Sequence, residues 1–311
     1  MPRINKTDLD VFPLALGGNV FGWTADEGQS AAVLDAYAQA GGNFIDTADS
    51  YSAWAPGNSG GESETIIGRW MAGRGNRDQM VVATKVSQHP EAKGLSRNTI
   101  RRAIDASLRR LRTGHVDLYY AHFDDPDTPL EETVAALGEL VGEGKVRYIA
   151  ASNYTAERLE QWLKFSDAEG LPRIVALQPH YNLVARDKYE GDLADLAARE
   201  ELSVVPYYAL ASGFLTGKYR DGATAGDSPR AGGAVAHLDE RGRRVLAALD
   251  EVAAAHSTAV ATVALAWLAA QPTVVAPLAS ARTVEQLPDL LGVADLRLTA
   301  DEIRRLTLAS E

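Results

Sequence analysis

The sequence predicts an α/β fold of the (β/α)8 type, a closed TIM barrel of parallel strands wrapped by helices. Three observations carry this reading. Short apolar runs alternate with amphipathic, helix-spaced segments along the whole length, giving eight buried strands. The runs end on polar groups, strand after strand, as expected where a barrel gathers its site at the C-terminal ends of its strands. No Pro/Gly/Ser-rich linker divides the chain near its middle, and no glycine fingerprint of an open dinucleotide-binding sheet follows the first strand. Residues 1–311 are therefore read as one domain.

In chain order, Arg3 to Val11 reads as a short hairpin plugging the bottom of the barrel. Leu14 to Gly18 is the first core strand, and Asn19, Val20, Phe21 and Trp23 line the loop after it. Helical spacing runs from Ser30 to Ala40 and stops at Gly41-Gly42. Phe44-Ile45 is the second strand, delivering Asp46 and, beyond the turn formers Asp49 and Ser50, Tyr51. A Gly/Ser/Pro-rich loop holding Trp54 leads to a helix from about Glu62 to Ala72. The third strand, Met80 to Thr84, delivers Lys85. Ile100, Ala103, Ile104, Leu108 and Leu111 form one apolar stripe of a helix capped by Ser96. The fourth strand, Asp117 to Ala121, delivers His122.

Thr128-Pro129-Leu130-Glu131 combines a capping box with Pro at the first helical position, and Val134, Leu137 and Val141 face inward from the helix it opens. Val146 to Ala151, Ile174 to Leu177 and Leu202 to Val205 are strands five to seven, separated by helices over Ala156 to Ser166 and Asp187 to Glu200. Val274 to Ala276 is read as the eighth. Tyr219 to His237, irregular and rich in Gly and Ala, is the expected mobile region. Thr299 to Glu302 caps a last helix, with Leu298 and Ile303 as its hydrophobic staple, among helices added at the C-terminal end.

Composition narrows the chemistry. Apolar residues make up 46% and charged residues 23%, an ordinary globular balance. No apolar run approaches the about 18 residues of a membrane span, and Met1 to Asp10 lacks the apolar core of a secretory signal. The chain has no cysteine, which excludes disulfides, thiolate catalysis and Cys-ligated zinc or iron–sulfur clusters, and is compatible with a reducing cytoplasm. A net charge of −11 disfavours general attraction to nucleic acid or anionic membrane, so an anionic ligand needs a local basic patch.

The four groups that follow strands two to four suit the protonation of a carbonyl oxygen while hydride arrives at its carbon. A free phenol titrates near about 10, and an adjacent ammonium lowers that value by stabilising the phenolate. Lys85 is the candidate ammonium, Asp46 the carboxylate that keeps it charged, and His122 the group that orients the carbonyl by hydrogen bonding. Singly, each has a commoner structural use: a strand-end Asp as a helix cap, a Lys as a solvated charge, a lone His as a satisfied core group. Their joint order and strand context carry the functional reading.

In these residues, with Phe-Ile-Asp-Thr-Ala-Asp-Ser-Tyr at 44–51 as the strongest segment, the sequence resembles the aldo-keto reductases, over about Leu14 to Leu291. The resemblance implies NADPH-dependent reduction of an aldehyde or ketone, with NADH possible, and Asp46, Tyr51, Lys85 and His122 as the catalytic tetrad. It further implies that Ser152, Asn153 and Gln178 bind the nicotinamide carboxamide and that Tyr207 stacks on the ring. The run Leu210-Ala211-Ser212-Gly213-Phe214-Leu215-Thr216-Gly217-Lys218-Tyr219 resembles the family's pyrophosphate-wrapping loop. Arg282, after Ser280, corresponds to the reader of the 2′-phosphate, with Gln286 near the adenine. Many relatives carry Lys where Ser280 stands, which removes one phosphate contact. Asn19, Phe21, Trp23, Trp54 and Tyr181 are the expected pocket walls for a small carbonyl or alcohol substrate. Two other readings stay open on the sequence, a Schiff-base aldolase using Lys85 and a cofactor-sensing regulatory subunit that retains the reductase fold.

Overall fold

The computed structural model describes residues 1–220 and 229–311. In chain order its strands and α-helices are β1 Ala15–Gly17, α1 Glu27–Gln39, β2 Phe44–Asp46, α2 Glu62–Arg74, β3 Val81–Val86, a small antiparallel pair β4 Gln88–His89 and β5 Ala92–Lys93, α3 Arg97–Leu111, β6 Val116–Ala121, α4 Leu130–Gly142, β7 Val146–Ser152, α5 Ala156–Glu169, β8 Ala176–Gln178, α6 Asp192–Arg199, β9 Ser203–Val204, α7 Ala231–Val235, α8 Glu240–His256, α9 Val260–Ala269, β10 Leu278–Ala279, α10 Leu287–Leu291 and α11 Ala300–Ala309. Eight strands form one parallel sheet in the order β10-β1-β2-β3-β6-β7-β8-β9. It curls shut where Val204 bridges Val274 and the Leu278 N–H donates to the Pro206 carbonyl. The expected (β/α)8 barrel with extra C-terminal helices is what the chain forms.

Two apolar layers follow from the pleat. Inward-pointing Ala15, Phe44, Ala83, Leu118, Tyr120, Ala150, Ala176, Val205 and Ala276 fill the barrel, closed at one end by Ile4, Leu9 and Val11. Alternate strand residues such as Leu16, Ile45, Val82, Tyr119, Ile149 and Leu177 face the helices, where Ile100, Ile104, Leu137, Trp162 and Trp267 cover them. The Arg3–Asp10 bridge and salt bridge close the N-terminal hairpin as expected.

Several boundaries differ from the sequence expectation. The eighth strand is Leu278–Ala279; Val274 to Ala276 precede it and seal the barrel through Val204 instead. Pro129 is the cap residue of α4, not its first helical residue, and Thr128 donates its hydroxyl to Asp125 at 2.7 Å, so no capping box forms there. A helix from Asp187 is cut short because Gly191 turns the chain at φ +96, and α6 begins at Asp192. Within Tyr219 to His237, residues 221–228 lie outside the described part, and the segment after them is not irregular throughout, since Ala231 and Ala234 bury one side of helix α7. The Thr299–Glu302 capping box and the Ser96 cap are present. No single helix among the described residues is long and apolar enough to cross a membrane.

Candidate active site

β2, β3 and β6 are neighbours in the sheet, so their C-terminal ends bring Asp46, Lys85 and His122 together, and the turn after β2 returns Tyr51 over them. Lys85 and Asp46 are both fully buried, with Nζ 2.6 Å from Oδ2. The ammonium also donates to the Thr47 carbonyl at 2.8 Å and to the Tyr51 hydroxyl at 3.0 Å, which uses all three of its N–H bonds. Asp46 Oδ1 accepts the Gln178 side-chain N–H at 2.8 Å. A buried charge that is paired and fully hydrogen-bonded in this way avoids most of the desolvation cost that would otherwise neutralise it.

The direction of the phenol shift reverses the sequence expectation. Burial, followed by the Asp46 carboxylate, pushes Tyr51 well above its ordinary value, outweighing nearby positive charge. The phenol therefore stands protonated, as a proton donor must. Burial pushes the Lys85 ammonium down and Asp46 opposes it. Burial, reinforced by Lys85, holds His122 well below the usual imidazole range, so it is neutral, and its buried Nδ1 has no hydrogen-bond partner among the described residues.

Beside the tetrad runs a second network. Asn153, in left-handed backbone at φ +59, donates to the His122 carbonyl at 2.9 Å and to Ser152 Oγ at 2.9 Å, and accepts the Tyr207 hydroxyl at 2.7 Å. Ser152 donates to the Gln178 carbonyl at 2.8 Å. Gln178 thus turns its amide N–H to Asp46, not outward. Tyr207 stacks one ring face on His180 at 5.3 Å.

A groove of about 390 Å³ is lined by Leu210, Ser212, Gly213, Thr216, Lys218, Ser280, Arg282 and Gln286, with Asn19 and Trp23 at one end. Its floor is backbone in the left-handed region at Ser212 (φ +58) and Gly213 (φ +96). Gly17 is required beneath it, since a Cβ there would fall 2.5 Å from Ser280 Oγ, which donates to Asn19 at 2.7 Å. Gln286 Oε1 accepts the Arg282 backbone N–H at 2.9 Å, fixing the turn before α10.

Four assigned residues fall elsewhere. Phe21 is fully buried in the outer core, because the loop after β1 folds inward and its carbonyl accepts from Ser52. Tyr181 is buried between Tyr189 and Trp267 and donates to Glu190, so it walls no pocket. Leu215 is a core side chain whose N–H already serves Leu210. Gly217 closes the loop at φ +77, its N–H on Phe214. Trp54 is exposed and packs edge-on to both Trp23 and Tyr51, joining the groove end to the tetrad.

The sequence reading missed others. Arg230 lines the groove and lies 5.4 Å over the Trp23 ring, and Tyr208 and Asp289 also line it. Phe123, exposed, packs on His122 at 5.1 Å; its place next to His122 was the available signal. Asp49 is fully buried with neither carboxylate oxygen hydrogen-bonded among the described residues. Burial, then buried Glu64, pushes it up to about 8 from an ordinary 3.8. A raised carboxyl contributes stability that is whole below the unfolded value and is lost as pH rises through the folded one. Wild type should therefore lose stability relative to Asp49→Asn between 3.8 and about 8. Denaturant midpoints of the two proteins that stay parallel across that window would contradict this.

The aldo/keto reductase family model matches residues 13–311. The chain belongs to the aldo/keto reductase family. Protein tas of Escherichia coli is 32% identical over 331 residues, covering 98% of this chain and 95% of that one. Norsolorinic acid reductase of Aspergillus flavus is 32% identical over 319 residues, 97% of this chain and 78% of that one. An uncharacterized oxidoreductase, YrpG, of Bacillus subtilis is 34% identical over 313 residues, 97% and 93%. This aldo/keto reductase is accordingly an oxidoreductase.

Proposed function

We propose that the chain reduces an aldehyde or ketone to an alcohol with NADPH, Tyr51 acting as general acid. The observation that carries this reading is the protonated Tyr51 hydroxyl held 3.0 Å from a buried, ion-paired ammonium. The groove fits a dinucleotide: Lys218, Arg230 and Arg282 supply cationic donors, and the turned backbone at Ser212 and Gly213 permits close approach of phosphate oxygens. NADPH, when bound, supplies the hydride. Tyr207, with one face on His180, offers the other to the nicotinamide, and Ser152 and Asn153 fix its edge.

Tyr51 gives its proton to the carbonyl oxygen, and Lys85 stabilises the phenolate left behind. Asp46, Gln178 and the Thr47 carbonyl hold the ammonium at the distance that makes this possible. Neutral His122 donates one N–H to the same oxygen. Because the phenol is protonated and the imidazole neutral at the start, no proton has to be taken up before reduction. The cysteine-free sequence supports a cytoplasmic setting. A Schiff base on Lys85 is disfavoured because all its N–H bonds are engaged and Asp46 is paired with it.

The test is a carbonyl panel, including norsolorinic acid, sugars, aromatic aldehydes and ketones, followed by NADPH absorbance. Turnover supports the reductase. No turnover with any member would favour the regulatory alternative. Arg282→Ala should weaken NADPH far more than NADH, since only NADPH carries a 2′-phosphate, and a charge-assisted contact is worth about 1.5–3 kcal/mol. The carboxylates of Glu285 and Asp289 also line the groove and would oppose a phosphate there, so wild-type preference should be modest. Equal weakening of both cofactors in fluorescence titrations would move Arg282 off the 2′-phosphate.

A further inference from the structure

The rings at the mouth of the tetrad form one continuous ledge. Trp23 packs edge-on to Trp54 with centroids 5.6 Å apart, Trp54 to Tyr51 at 6.1 Å and Tyr51 to His122 at 6.1 Å, and His122 tilts onto Phe123 at 5.1 Å. Arg230 lies over the Trp23 end. We propose that the carbonyl substrate is an aryl aldehyde or ketone bearing a carboxylate, its flat body laid on this ledge with the carbonyl at Tyr51 and the carboxylate on the Arg230 guanidinium. The proposal rests on the reductase reading and narrows it to a substrate class.

Exposure singles out the ledge. The exposed Trp, Phe and Tyr side chains among the described residues are Trp54, Phe123 and Tyr208, and all three stand around the tetrad and the groove end. Large rings left in water together mark a surface that a ligand covers. Tyr208 is held there: its backbone is left-handed at φ +53, which a bulky residue rarely adopts, and buried Asn182 fixes it by donating to its carbonyl at 2.9 Å. Its ring tilts against both Tyr207 and His180 at 5.2 Å. An aromatic guest gains ring contacts along such a ledge that a short aliphatic carbonyl cannot make.

Charge selects the far end of the guest. Arg230 is close enough to Tyr51 for its charge to pull the phenol down, against burial and Asp46. Burial pushes the guanidinium itself down and the oxygens of Tyr208 and Tyr51 oppose this, so the three groups converge on one space. Arg230 adds to the positive potential of the whole groove, yet it stands at the reacting end. The nicotinamide brings no phosphate there, so the anion that Arg230 meets beside Tyr51 belongs to the substrate. The planar fork of a guanidinium fits the two oxygens of a carboxylate, and half-burial strengthens that contact over one in open water.

The test compares 3- and 4-carboxybenzaldehyde with their methyl esters at saturating NADPH. In kcat/KM at least one acid should exceed its ester by more than about tenfold, and Arg230→Gln should bring that ratio to about one while NADPH affinity changes less than about threefold. Arg230→Lys should restore part of the ratio. Trp54→Ala should lower the ester relative to butanal by about threefold or more. Isothermal titration of the NADP+-loaded protein with 4-methylbenzoate, which has no carbonyl to reduce, reads the same pocket without turnover, and far-UV circular dichroism checks that each variant is folded. No preference for either acid, a preference that survives in Arg230→Gln, or an ester-to-butanal ratio unchanged in Trp54→Ala would each overturn the assignment. NADPH affinity lost in Arg230→Gln with the acid preference intact would make Arg230 a cofactor clamp instead. If 4-methylbenzoate binds through Arg230 and no carbonyl is reduced, the reductase reading fails and the carboxylate site stands; neither binding nor turnover overturns both.

Discussion

Tyr51→Phe is expected to lower carbonyl turnover by about 10²–10⁴-fold, the usual worth of a positioned general acid, while leaving NADPH affinity nearly unchanged. The substitution removes one oxygen. What that oxygen does is bounded by its contacts: it meets Lys85 at 3.0 Å and Asp46 at 3.4 Å, and neither is in the groove lining. The ring itself keeps its edge packing on Trp54, so the wall between tetrad and groove should survive. Steady-state rates with a reactive aldehyde, beside a fluorescence titration of NADPH, separate the two effects. Turnover within a factor of about two of the parent would remove Tyr51 from the proton transfer.

Lys85→Met should cost more than activity. It leaves Asp46 fully buried with only the Gln178 amide and the Tyr51 hydroxyl beside it, and breaking a buried pair by removing one partner typically costs about 3–5 kcal/mol. Turnover should fall by an amount like that of Tyr51→Phe, because the phenolate loses the ammonium hydrogen-bonded to it. Asp46→Asn in the same background removes the orphaned charge, so the double variant should recover much of the stability and none of the turnover. Urea midpoints measured with turnover on the three proteins check this; a Lys85→Met protein as stable as the parent would mean that the pair is not buried as described.

How much of this was legible in the sequence depended on whether a residue's role is local. Asp46, Lys85 and His122 each end an apolar run, and Tyr51 follows one turn later, so strand order and barrel geometry were enough to bring them together. Phe21 and Tyr181 were misplaced for the opposite reason. An aromatic on a loop reads as a pocket wall until the loop folds inward, and only tertiary contacts, Ser52 on the Phe21 carbonyl and Glu190 on the Tyr181 hydroxyl, reveal the burial. The phenol shift was misjudged because pairing with Lys85 is visible in the sequence while desolvation is not. Helix α9, Val260–Ala269, is buried nearly all round, so its run carried no amphipathic period, and the eighth strand was placed a few residues early, on the stretch that seals the barrel against Val204. Asp49 read as a turn former. Its isolation depends on Glu64 and Arg110, from two other elements, closing around it.

The central claim, that hydride passes from one fixed face of a nicotinamide to a carbonyl beside Tyr51, is tested most directly by isotope transfer. One face of Tyr207 lies on His180 and its hydroxyl on Asn153, so the ring is fixed in place; in the proposed complex its free face meets the nicotinamide and Ser152 and Asn153 hold the carboxamide edge. The family resemblance implies that the face left toward Tyr51 and His122 carries the pro-R hydrogen of C4. NADPH deuterated at the pro-R position should give deuterated alcohol, and the pro-S isotopomer should give none. Label from the pro-S position, or product alcohol without deuterium from either, would contradict the account.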